Sequence, residues 1–141
     1  MKRVTLVLIA VAAAACGGSD ASPSTITTPT ATVTTETFTG TVQPGGAQKI
    51  HTFTVTAPGA ISVTMTAAGP PPTIQMGLGL GNPDSAGNCI FLSGGTTQAV
   101  ASTTTPHLSG TLTSSGAYCV AIADIGNAAG PITYSIAVSH T

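Results

Sequence analysis

From Glu36 onward, apolar and polar residues alternate with a period of two, over and over. Phe38, Gly40 and Val42 alternate with Thr37, Thr39 and Thr41, and a Pro44-Gly45-Gly46 type II turn follows. His51, Phe53 and Val55 alternate with Thr52, Thr54 and Thr56; after Pro58-Gly59, Ile61, Val63 and Met65 alternate with Ser62, Thr64 and Thr66. Ile74, Met76, Leu78 and Leu80 come next, and a Gly/Asn/Asp/Ser loop runs from Gly81 to Asn88. Cys89 to Leu92 and Thr97 to Ala101 read as two shorter strands. Leu108 to Leu112, Tyr118 to Ile122 and Ile132 to Val138 complete the series, the last two separated by a loop from Asp124 to Pro131. No helical period interrupts it. The pattern predicts eight or nine short strands at spacings of 8 to 15 residues.

One apolar and one polar face per strand means antiparallel sheets with a single buried side. Two such sheets must cover each other, so the predicted fold is an all-β, antiparallel β-sandwich or jelly roll spanning residues 36–141. The outward positions are mostly Thr and Ser, which favour strands and keep a surface wet without charge.

The N-terminus follows different rules. Met1-Lys2-Arg3 is a positive n-region, and Val4 to Ala15 is an apolar run of secretory length, too short to span a bilayer. Ala13-Ala14-Ala15-Cys16 followed by Gly17 resembles the lipobox of bacterial lipoproteins. That resemblance makes residues 1–15 a signal peptide and Cys16 the lipidated first residue of the mature chain. Gly17 in place of Asp points away from inner-membrane retention in a diderm cell, toward the outer membrane or cell surface. The alternative is ordinary cleavage after an A-x-A site.

Residues 16–35 are rich in Ser, Thr, Pro and Ala and bury too little to offset their ordering entropy, so they read as a tether. Charged residues make up only 5% of the 141-residue chain. Without the leader, Lys49 stands against Asp20, Glu36, Asp84 and Asp124, a net charge of -3. That balance excludes nucleic acid as a partner.

Phe38-x-Gly40-x-Val42, the Pro-Gly turn, His51-x-Phe53-x-Val55, Gly59-x-Ile61-x-Val63, Leu108-x-Gly110-x-Leu112, Gly116-x-Tyr118-x-Val120-x-Ile122 and Tyr134-x-Ile136-x-Val138 resemble the bacterial pre-peptidase C-terminal domain. The resemblance covers residues 36–141. It implies a non-catalytic β-sandwich, of a family appended to secreted peptidases or polysaccharide-degrading enzymes, whose relatives bind collagen or other polymers. Some members hold calcium through an acidic N-terminal segment, which here offers Asp20 and Glu36.

Among candidate residues, Cys89 and Cys119 form the one pair left once Cys16 carries lipid, and in an oxidising compartment they read as a disulfide. By parity Cys119 points to the outer face, away from Tyr118 and Val120. Asn82, Asp84 and Asn88 in one loop, and Asp124 and Asn127 in another, are candidate contact residues at one end of the sandwich. Asx-turn chemistry accounts for both Asp residues without an ion; a calcium site from Asp124, Asn127 and carbonyls is the alternative to no cofactor. His51, His107 and His140 have no local partner at metal-ligand spacing.

Gly77-Leu78-Gly79-Leu80-Gly81 lacks the Lys-Ser/Thr and the helix of a phosphate loop. Glycines at alternate strand positions instead leave one face bare for close approach of backbone or a partner. Among aromatics Phe91 is a surface candidate, whereas parity buries Tyr118 and Tyr134, leaving carbohydrate stacking little to work with. With no converging acids and bases, the expected role is a non-catalytic, lipid-anchored envelope module that contacts an envelope protein or extracellular polymer. The alternatives are a structural lipoprotein without specific ligand and, further off, a small secreted hydrolase.

Overall fold

The computed structural model describes residues 31–141. Its eight strands are β1 (Thr34–Val42), β2 (Lys49–Val55), β3 (Gly59–Gly69), β4 (Gln75–Pro83), β5 (Cys89–Val100), β6 (Leu108–Leu112), β7 (Gly116–Asp124) and β8 (Ile132–His140). Among the described residues there is no helix. The strands form two four-stranded antiparallel sheets, ordered β1-β8-β3-β6 and β2-β7-β4-β5. In the pairs β1-β8, β2-β7, β3-β6 and β4-β5 the chain lies against itself as one long hairpin, and the further pairs β3-β8 and β4-β7 roll that ribbon into two layers. This is jelly-roll order.

The period of two decides which side of each strand is buried. Ile61, Val63 and Met65 of β3 and Ile132, Ile136 and Val138 of β8 face Phe53, Val55, Val120, Ile122, Met76 and Leu78 across the core. Tyr118 and Tyr134 are buried as parity requires. The Gln43–Gly46 turn closes with the Gly46 N–H donating to the Gln43 carbonyl at 2.9 Å, and Gly45 takes φ +59°. Pro at the second position and a positive φ at the third make it the predicted type II turn.

Three features depart from the sequence reading. First, β1 begins at Thr34, so the last two residues assigned to the tether pair with Ser139 and His140. Second, Cys89 to Val100 is one strand and not two. Gly79 pairs with Thr96 and Gly81 with Phe91, so the strand absorbs extra residues in a bulge at Leu92 to Gly95, where Gly94 takes φ +70°. Third, the two candidate loops lie at opposite ends of the sandwich. β4 runs antiparallel to β7 with Met76 opposite Asp124, which leaves Asp84 at the far end, roughly 25 Å along the strand.

Candidate functional site

The two outer faces differ in chemistry. On the first sheet, Thr35, Thr37 and Thr39 of β1 lie beside Ser139, Ala137 and Ser135 of β8. Two hydroxyl pairs bond across strands there, Thr35 Oγ1 with Ser139 Oγ at 2.7 Å and Thr66 Oγ1 of β3 donating to Ser135 Oγ at 3.0 Å.

The outer face of the second sheet is built from small residues. Its two central strands present Ala121 and Ala123 from β7 and Gly77 and Gly79 from β4. The start of β5 curls over this surface. A Cβ on Gly81 would collide with the Ile90 carbonyl, and one on Gly79 with the Phe91 ring. The glycines are therefore where the chain's own backbone and an aromatic ring come close. The Cys89–Cys119 disulfide, Cα–Cα 5.8 Å, ties the curled segment to β7 across β4. Cys119 points outward by parity and yet is fully buried, because Cys89, Ala121 and Ile50 cover it in a small second cluster.

What remains open on this face is a groove of about 330 Å³ floored by Gly77, Gly79, Ala121 and Ala123. Phe91 walls it on one side, 41% exposed, and Ile125, 38% exposed, leans over Gly77 with its Cγ2 3.2 Å from where a Cβ would stand. Gln48, Thr96 and Gln98 rim it. Among the described residues that line it, none carries a charge. Its volume lies in the usual range for a small-ligand site.

The candidate polar residues are occupied by structural bonds. Asp84 Oδ1 accepts from the N–H groups of Ala86 (2.9 Å) and Asn88 (2.8 Å), and its Oδ2 accepts from Asn88 Nδ2 (2.9 Å). The Asn88 side chain above all, with the backbone bonds, holds the Asp84 carboxyl below its usual range. Asp124 Oδ2 accepts from the Gly45 N–H at 3.0 Å, and Oδ1 from Gly126, Asn127 and Ala128. Its carboxyl is likewise lowered, chiefly by Gly45, and it joins the β1–β2 turn to the β7–β8 loop. Asn127 Nδ2 donates to the Gln75 carbonyl. Asn82 is not a loop residue; it belongs to β4, opposite Ile90, and donates to the Ala117 carbonyl at 3.2 Å. Cys16 lies outside the described residues.

The histidines are equally tied down. His107 Nδ1 accepts from the Met65 N–H (3.0 Å), which leaves Nε2 to donate to the Val100 carbonyl (2.8 Å). Buried His140 donates from Nε2 to Glu36 Oε1 at 3.0 Å. His51 stacks on Phe38 with ring centroids 4.9 Å apart, and its Nε2 shares a 2.7 Å hydrogen bond with the Tyr134 hydroxyl. Burial lowers the His51 pKa from 6.5. Among the described residues no three His, Cys, Asp or Glu side chains converge in a metal-binding group.

The sequence singles out Phe91 and the glycine face; Gln48, Thr96, Gln98, Ala121, Ala123 and Ile125 join them only in the fold. Ala121 and Ala123 carried a signal: both hold the parity opposite to Tyr118, Val120 and Ile122, where a wetted strand would place Thr. The groove needs two separate strands to bare the same face, and that pairing is a property of the fold. Comparison with known protein families matches none to this chain, and no curated protein matches it either.

Proposed function

We propose that the chain is a non-catalytic, extracytoplasmic β-sandwich module, lipid-anchored at Cys16 and displayed on the 16–33 tether, akin to the pre-peptidase C-terminal domains it resembles. It works by surface contact with an envelope protein or extracellular polymer. One observation carries this reading. The acids and histidines of the described domain, Glu36, Asp84, Asp124, His51, His107 and His140, are each engaged in a bond that holds the fold, while the open groove is lined by uncharged residues. Catalysis by acid–base or nucleophilic routes needs such groups free and converging in a cleft. Contact needs only a shaped, stable face.

Fractionation in a diderm host tests the anchor. Wild-type protein is expected in the membrane fraction and full-length Cys16→Ser in the soluble fraction, since acyl chains contribute about 0.8 kcal/mol per buried CH₂. A Cys16→Ser protein that is still processed and membrane-bound overturns the anchored module.

A further inference from the structure

Resting on the reading of this domain as a contact module, we infer that the groove on the outer face of the second sheet binds a neutral glycan chain, with one pyranose ring stacked on Phe91. The Phe91 ring packs against Gly79, its Cε1, Cδ1 and Cζ where a Cβ would stand, and the residue remains 41% exposed. The bulge at Leu92 to Gly95 and the Cys89–Cys119 disulfide flank the ring in sequence and hold the strand that carries it. A platform positioned in advance loses little entropy on binding.

The lining selects the ligand by chemistry. A pyranose is amphipathic: its C–H face packs on the electron-rich face of an aromatic ring, and its equatorial hydroxyls need amide or hydroxyl partners at the edge. The groove offers that set, with Phe91 as a wall, the Gly/Ala floor below and Gln48, Thr96 and Gln98 at the rim. An anionic polymer would find no cation among the lining residues. An extended peptide seeking strand pairing would find none on the floor, because β4 and β7 are interior strands bonded on both sides.

The test uses full-length Cys16→Ser protein made in an oxidising compartment, run in affinity gels containing soluble neutral glucan, mannan, galactan or xylan, with anionic polygalacturonate as the contrast. Retardation by at least one neutral polymer is expected. Phe91→Ala and Gln98→Ala should each weaken it about tenfold, and Thr37→Ala on the opposite face should leave it unchanged. Gln98 is exposed, so its variant keeps the test intact should Phe91→Ala perturb the fold. No retardation by any neutral polymer, retardation unmoved by both groove variants, or preference for polygalacturonate overturns the assignment. A protein ligand lost with Phe91→Ala while every glycan is negative also overturns it but leaves the contact module standing.

Discussion

Removing the Cys89–Cys119 bridge tests whether the curl of β5 is held covalently or only by packing. The bridge closes a loop of sequence separation 30. Chain entropy assigns such a loop about 3.6 kcal/mol at 25 °C, an effect exerted on the unfolded state. A described domain of residues 31–141 has an unfolding entropy of about 0.23 kcal/mol/K, so the entropic part alone lowers Tm by about 15 °C. Cys119 is fully buried and Cys89 nearly so. Replacing both with Ala therefore adds a packing loss on the order of 1 kcal/mol, while avoiding the unpaired hydroxyl that Ser would bury. Differential scanning calorimetry of the oxidised, reduced and Cys89→Ala/Cys119→Ala proteins separates the two terms. Reduction keeps both sulfurs in place and reports cross-linking; the double variant reports cross-linking and packing together. Two thiols titrating in the folded, unreduced protein would refute the bridge. A shift under 5 °C on reduction, with the bridge confirmed, would refute the entropic accounting.

Two further outcomes are expected. Gly40→Ala should cost about 2 kcal/mol or more in urea unfolding, because its Cβ collides with the Tyr134 hydroxyl and breaks the bond to His51; a loss under 0.5 kcal/mol would mean Tyr134 relaxes freely. Stability should also fall twice on acidification. His51 is lowered by burial, so below 6.5 the unfolded chain takes up the proton that the folded site resists, and stability is full above that pH and declines beneath it. His51→Gln should abolish this first decline in urea midpoints measured from pH 8 to 5. Asp84 and Asp124 are lowered from 3.8 by the bonds they accept, so their contribution is present above that value and is lost as the pH falls through their folded values. Asp124→Asn should blunt that second decline, and a flat profile in either window would refute the corresponding account.

The sequence was most legible where a single strand decides the outcome. Parity along Tyr118 to Ile122 or Tyr134 to Val138 names the buried side without reference to any neighbour, and both tyrosines are buried accordingly. It was least legible where two strands must be matched. Nothing local pairs β1 with β8 or bares Gly79 and Ala121 on one surface; those facts arise only when the long hairpin is rolled up. The misplacement of the two loops has a specific origin. In an antiparallel sandwich each successive strand reverses direction, so a loop's end of the molecule depends on whether the strand before it is odd or even. Counting Cys89 to Leu92 and Thr97 to Ala101 as two strands puts the Tyr118 strand eighth, and the loops after strands four and eight then share an end. The chain instead continues through Ser93-Gly94-Gly95 as a bulge, Gly94 taking the positive φ that a turn would also have used. With one strand fewer, the Tyr118 strand is seventh and its loop crosses to the opposite end. A glycine pair inside a polar run marks a break in pairing without saying whether the chain turns back or carries on. Here carrying on is what brings Phe91 over Gly79, so the ambiguity that misplaced the loops also concealed the groove.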